Sequence, residues 1–264
     1  MKHVIIGNGN LGNALGVELL KRGHTIKVFS TSNGWRYPAS LDPIYDELPD
    51  HVWVTVGAGS VEQAKGNFGP FADLHLKLPT ELAQKLNNGV VLHTFSTDYA
   101  ANKNDIQSLY ALSKDVMETA LILINKPRTN IYRIGSLYGT HKPQKCFPYK
   151  LKKNSLKNEI TLPLNVIVPT PTDWLAKTLL NNLEKICDDT TTKFYTVAPK
   201  ESTTVAEWGS LILEREILGN VMDNSRPSYV SMECNLPIKE TVSWLDLWKE
   251  RENDWREILN KIEI

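Results

Sequence analysis

Short apolar runs alternate with longer amphipathic ones along the first half of the chain. Val4-Ile5-Ile6 is a brief apolar run ending at Gly7, the length and composition of a buried parallel strand. Leu11, Leu15, Leu19 and Leu20 then recur at helical spacing as far as Arg22, and Gly23 stops that helix. Residues 26–29 predict a second strand. Residues 31–50, rich in Ser, Pro, Asn and Asp, predict a loop with one short helical turn. A third strand over 52–56 closes at Gly57-Ala58-Gly59. Helices over 71–86 and 106–124 flank a strand over 90–95, and a further strand covers 130–134. Strands alternating with helices predict an α/β fold: a Rossmann-like doubly wound parallel sheet with right-handed crossovers. Residues 1–139 make up this core. Residues 140–264 are mainly a small C-terminal lobe, with a segment at about 163–200 returning to the core. A last helix over 241–262 carries Trp244, Trp248 and Trp255, an apolar surface expected to pack rather than to bind.

The turn after the first strand reads Gly7-Asn8-Gly9-Asn10-Leu11-Gly12. Gly7 allows a tight exit from the strand, Gly9 lets backbone approach a diphosphate, and Gly12 lets helix and strand pack closely. The N–H groups of Asn10 and Leu11 then face the phosphates at the helix N-terminus. This makes the core a candidate dinucleotide-binding domain, with Gly57 and Ala58 at the next strand end also against the cofactor. A carboxylate that grips the ribose of NAD is expected at the end of the second strand. That strand ends Phe29-Ser30-Thr31-Ser32, with Arg36 close by. Hydroxyls and a cation suit a 2′-phosphate, so NADP(H) is favoured over NAD(H).

Tyr110 and Lys114 lie four apart on the helix predicted over 106–124, and so share a face. They follow Ser96-Thr97-Asp98 at a strand end. A phenol with a pKa of about 10 is a poor acid at neutral pH, and a neighbouring ammonium is expected to lower it. Thr97 is placed to bond a substrate carbonyl. Together Thr97, Tyr110 and Lys114 form a candidate catalytic set that protonates an alkoxide as hydride arrives, with Tyr110 and Lys114 also against the cofactor.

The chain has 264 residues and a formal net charge of +0, which gives no basic field for nucleic acid or anionic membrane. Apolar runs are too short to span a bilayer or to form a signal peptide. Cys146, Cys187 and Cys234 are too scattered for a metal set, and reduced thiols fit a cytoplasmic protein. His75 and His93 lack partners at metal-ligand spacing and are expected to be structural.

On these residues the chain resembles the extended short-chain dehydrogenase/reductases, most of all the dTDP-4-dehydrorhamnose reductase branch. Ser96-Thr97-Asp98-Tyr99, the Tyr110/Lys114 pair, Arg133 to Gly139, Pro169 to Ala176 and Ser225-Arg226-Pro227 carry the likeness. It implies NADPH-dependent reduction of the 4-keto group of a nucleotide-linked 6-deoxy sugar. It also implies Ser136 and Tyr138 against the substrate, and a possible homodimer; Asp98 is either a second acid on the substrate side or simply a cap of the following turn. Lys142, Lys145, Lys150, Lys152, Lys153 and Lys157 form a basic cluster from which one or two are expected to grip the phosphates of the nucleotide. The chain departs from that family in its Gly-x-Gly-x-x-Gly turn and in a shorter segment between Thr97 and Tyr110. It also has His75 where an asparagine is usual, and Ser136 where the branch has a tryptophan. The alternatives are a sugar-nucleotide epimerase or epimerase-reductase, a non-catalytic NADP-binding regulatory subunit, and a β-hydroxyacid dehydrogenase. The Tyr-x-x-x-Lys helix is not expected in the last.

Overall fold

Five strands of the first half and one from the second assemble side by side, all parallel, into one six-stranded sheet. The computed structural model describes residues 1–57, 66–100, 108–126, 128–187, 191–220, 222, 232–238 and 242–262. In chain order the strands are β1 (Lys2–Ile6), β2 (Thr25–Phe29), β3 (His51–Val54), β4 (Val91–Thr97), β5 (Thr129–Ile134), β6 (Ser136–Tyr138), β7 (Leu162–Pro163), β8 (Val166–Ile167), β9 (Pro169–Pro171), β10 (Lys193–Val197), β11 (Thr203–Thr204) and β12 (Gly219–Asn220). The main sheet runs β10-β5-β4-β3-β1-β2, and β6–β9, β7–β12 and β8–β11 form small pairs outside it. The crossover from β2 to β3 passes over β1. Strand order therefore reverses between β1 and β3, and their carboxyl ends open a crevice.

The helices are α1 (Asn10–Lys21), α2 (Gly69–Phe71, a π-helical stretch Ala72–Lys77, and Leu78–Lys85), α3 (Leu109–Ile124), α4 (Phe147–Ser155), α5 (Thr172–Asn181), α6 (Val205–Leu213) and α7 (Trp244–Asn260). Alternation along the strands sorts the core. Val4, Ile6, Val52, Val54, Leu92 and Ile131 meet Leu78 and Leu82 of α2 and Met117 and Leu121 of α3. Ile5, Trp53, Phe95, Tyr132 and Val197 meet Leu15 and Leu19 of α1 and Trp174, Leu175 and Leu179 of α5 on the other face. Within residues 163–200, α5 packs on this face and β10 extends the sheet beside β5.

A third cluster builds the C-terminal lobe from Tyr138, Ile167, Val205, Trp208, Trp244, Trp248, Trp255 and Leu259. The tryptophans of α7 are buried there, as packing residues. Two elements differ from the expected pattern. The sheet part of β3 stops at Val54, and the next residue ties the strand end to the glycine turn, Thr55 Oγ1 donating to Ile6 O (3.1 Å) and Gly7 O (3.0 Å). β4 runs on to Thr97, paired with Ile134. Ser108 caps α3 by accepting from Ala111 N (3.1 Å), and the expected start at 106 lies outside the described residues, as does 241 at the head of α7.

His3, His51 and His93 stack near the amino ends of β1, β3 and β4. His93 lies flat on Trp53 (3.7 Å between centroids) and its Nδ1 bonds the Tyr132 hydroxyl (2.8 Å). Burial drives the His93 pKa far down and that of His51 to about 4, so both rings are neutral. Their nitrogens come within 4.8 Å of Cys187 Sγ, a grouping the sequence spacing did not predict. The His51–His93 contact itself is a ring-to-ring hydrogen bond of 3.1 Å. Among the described residues no helix is long and apolar enough to cross a membrane.

Candidate active site

Two clefts meet at the carboxyl end of the sheet. One, of about 670 Å³, runs from Gly7, Asn8 and Gly9 past Ser30, Thr31, Ser32 and Arg36 to Thr55, Val56 and Gly57. The other, of about 450 Å³, is lined by Ser96, Thr97, Asp98, Tyr110, Lys114 and Ser136. Thr55, Val56, Gly57 and Lys145 line both, so the two are continuous.

The glycine turn has the shape its sequence implies. Gly7 adopts φ +110°, a conformation that side chains resist. A Cβ on Gly12 would lie 2.0 Å from Gly7 O, so only glycine lets α1 approach β1 this closely. A Cβ on Gly9 would meet nothing within 4 Å, which leaves the backbone there open to a ligand. The open face at Gly9, the close approach at Gly12 and the start of α1 together fit the diphosphate of a dinucleotide. Leu11 lines the second cleft, whereas the Asn10 side chain turns away to bond the 139–146 loop. At the end of β2, Ser30 Oγ and Ser32 Oγ are hydrogen-bonded (2.7 Å), and Thr31, Ser32 and Arg36 are exposed. Ala58 lies outside the described residues, as does the Ser225-Arg226-Pro227 segment.

The catalytic candidates converge from two elements. Thr97 and Asp98 come from the end of β4, and Tyr110 and Lys114 from one face of α3. Asp98, buried, accepts from Thr97 Oγ1 (2.8 Å) and Tyr99 N (3.0 Å) through Oδ1, so it caps the turn after β4 as well as facing the cleft. Phe71, His75 and Tyr99 surround the Tyr110 ring edge-on, at 6.3, 5.5 and 6.2 Å.

The electrostatics correct one expectation. Lys114 was expected to lower the Tyr110 pKa. Instead burial, then the Asp98 charge, push that phenol up to about 12, opposed by a hydrogen bond with Thr97. Lys114 Nζ donates to Phe95 O (2.7 Å), which anchors the ammonium on the strand. Its own pKa falls to about 8 through burial, against the pull of Glu118. The phenol is therefore fully protonated at neutral pH.

Tyr138 is a second correction. It is fully buried between Trp208 and Trp248, at 5.4 and 5.8 Å, so it faces the lobe core rather than the substrate cleft. Ser136, on the same strand, does reach the cleft. Of the basic cluster, Lys142 lines the glycine-turn cleft, Lys150 the other, and Lys145 both, while Lys152, Lys153 and Lys157 line neither.

Several residues of the site carry no signal in the sequence. Thr55 carries no motif and is recognisable only once β3 is seen beside the glycine turn. Phe147, Val205 and Trp208 wall the substrate cleft from the far lobe. His75 reaches the site because the π-helical stretch of α2 carries it there. Its Nε2 is 3.8 Å from where a Cβ on Gly57 would lie. Ser113 donates to Tyr110 O (2.7 Å), so its oxygen accepts from His75 Nδ1 (2.9 Å). Burial, then Lys114, lowers the His75 pKa to about 2, so the imidazole is neutral.

No protein-family model and no curated protein sequence matches the chain. Solved structures share its fold. A dTDP-4-dehydrorhamnose reductase from Bacillus anthracis, in complex with NADP, has a TM-score of 0.79 and 18% identity over 96% of this chain and 99% of that one. The same enzyme from Clostridium acetobutylicum has a TM-score of 0.73 and 18% identity over 98% and 100%. A UDP-glucuronic acid 4-epimerase mutant from Bacillus cereus, in complex with a fluorinated UDP-sugar and NAD, has a TM-score of 0.72 and 15% identity over 98% and 100%. At these identities the likeness is one of fold.

Proposed function

We propose that the chain is an NADPH-dependent reductase of the 4-keto group of a nucleotide-linked 6-deoxy sugar. The observation that carries this reading is the convergence of Thr97, Tyr110 and Lys114 on a cleft that joins the glycine-turn groove at Gly57. The solved structures of like fold bear names of sugar-nucleotide reductases and epimerases, which supports the substrate class. A nicotinamide dinucleotide is held, on this reading, by the Gly7–Gly12 turn, Gly57, Tyr110 and Lys114. The hydroxyls of Ser30, Thr31 and Ser32 and the Arg36 guanidinium favour a 2′-phosphate. Asp73, the carboxylate that lines this groove among the described residues, is ion-paired to Lys77 (2.7 Å).

When bound, the reduced nicotinamide supplies a hydride. The chain's own part is to orient the carbonyl and deliver a proton. Thr97 Oγ1 sits beside the phenol, and turning its proton from Asp98 Oδ1 to the substrate lets it hold the carbonyl oxygen. Tyr110, raised to about 12, retains its proton until an alkoxide of higher basicity forms. The phenolate left behind is then reprotonated from solvent, while the Lys114 ammonium, held on Phe95 O (2.7 Å), faces the cofactor. The apolar wall of Phe95, Leu137 and Trp208 thins the water around the reacting carbonyl.

The test is oxidation of NADPH, and separately of NADH, by purified protein against a panel of nucleotide-linked 4-keto-6-deoxy sugars. Oxidation with a member of the panel is expected, faster with NADPH. Co-purification with tightly held NAD, together with interconversion of sugar epimers and no net oxidation, overturns the reductase reading in favour of an epimerase. Binding of dinucleotide without either reaction overturns it in favour of a regulatory module.

A further inference from the structure

The turn Gly7–Gly12 contains no cation, and the first turn of α1 carries neither acid nor base. Arg22, at the far end of α1, is engaged by Glu18 (2.9 Å) and Asn181 (2.8 Å). Arg36 sits at the end of β2, the corner suited to a 2′-phosphate. A diphosphate on the turn thus meets backbone N–H groups and the helix dipole but, among the described residues of the core, no positive side chain.

The second lobe supplies one. The Lys142 side chain lines the cleft with Gly7, Asn8 and Gly9, and its Nζ donates to Asn8 O. Its position is built rather than adventitious. Lys142 N donates to Asn10 Oδ1 (2.6 Å), and Asn10 Nδ2 donates back to Lys142 O (3.2 Å) and to Cys146 Sγ (3.1 Å). Cys146, buried, also accepts from Gly139 N (3.3 Å), which closes the loop on itself. A Cβ on Gly139 would come 3.2 Å from Asn10 Cβ, so the loop lies directly on the start of α1. Asn10 is therefore a latch: the residue that opens α1 uses both ends of its carboxamide to hold the lobe's lysine over the glycine turn.

We infer that Lys142 is a ligand of the cofactor diphosphate, carried to the glycine turn by the substrate lobe and positioned there by Asn10. This rests on the dinucleotide reading of the cleft. It divides the basic cluster: Lys142 serves the cofactor, while Lys150, in the other cleft, is left to the substrate. On cofactor binding the ammonium exchanges the Asn8 carbonyl for phosphate oxygens, a charge-assisted bond.

The experiment is binding, not turnover: dissociation constants of NADPH, NADH and 2′-AMP, by calorimetry at two salt concentrations, for wild type, Lys142→Gln, Lys142→Arg and Arg36→Ala. Lys142→Gln is expected to weaken NADPH and NADH by the same factor, about 10-fold or more. It should also flatten their salt dependence and leave 2′-AMP, which has no diphosphate, unchanged. Lys142→Arg restores most of the loss, and Arg36→Ala weakens NADPH and 2′-AMP but not NADH. Unchanged thermal midpoints of the ligand-free variants exclude a folding defect. If wild type binds the dinucleotides and Lys142→Gln binds them equally well, the inference falls while the cofactor reading stands. If wild type binds no dinucleotide, both fall.

Discussion

Tyr110 and Lys114 show how far two residues' chemistry depends on what encloses them. In water a lysine beside a tyrosine acidifies it. Here burial dominates both groups, raising the phenol to about 12 and lowering the ammonium to about 8. A phenol that holds its proton suits donation, so Tyr110→Phe is expected to lower kcat by about 100-fold or more. NADPH affinity, read by its fluorescence, should stay intact. A variant of full activity removes Tyr110 from the mechanism. Lys114 is expected to set the pH dependence of turnover. It is charged below about 8, so kcat is expected to fall as pH rises through that value. Lys114→Arg, which does not titrate there, should lose this limb while keeping measurable turnover below it. The same shift has a stability counterpart. The unfolded chain binds the lysine proton up to its ordinary value of 10.5 and the folded chain only to about 8. The cost of burying the ammonium is therefore full below about 8 and is relieved as pH rises through the window between the two values.

At the scale of elements, α3 is the organising piece. Tyr110, Lys114 and Glu118 lie at four-residue steps along one face. Glu118, with a 1% exposed side chain, makes a two-pronged ion pair with Arg133 of β5 (2.9 and 2.5 Å). This pair ties the helix to the strand beside β4, and so sets the height of the phenol against Thr97. Removing one partner strands the other, so Glu118→Ala is expected to destabilise the fold by about 3 kcal/mol in chemical denaturation. A change below about 1 kcal/mol would show that water compensates the guanidinium. The pairing was not legible in the sequence, where Arg133 reads only as part of a strand end. The strand and helix order was legible, because buried parallel strands are short apolar runs and surface helices are amphipathic at a different period. The π-helical stretch Ala72–Lys77 was not. It is one added residue in a helical turn, invisible to periodicity, yet it aims His75 at the carboxyl end of the sheet.

Across the whole molecule, the amino-acid order alone determined the alternating α/β architecture, the glycine turn and its place after β1. It also determined the Tyr110/Lys114 pair on one helix face and a lobe closed by tryptophans. All of these rest on neighbours within a few residues, whose spacing is set by helix and strand geometry. The tertiary structure decided what depends on residues far apart in the chain. It sent Tyr138 into the Trp208–Trp248 core while leaving Ser136 at the cleft. It distributed Lys142, Lys145 and Lys150 between two clefts, and brought Asn10 to the loop around Lys142. It also reversed the expected direction of the Tyr110 pKa. Burial and long-range charge are properties of the enclosed volume, and no local pattern encodes them.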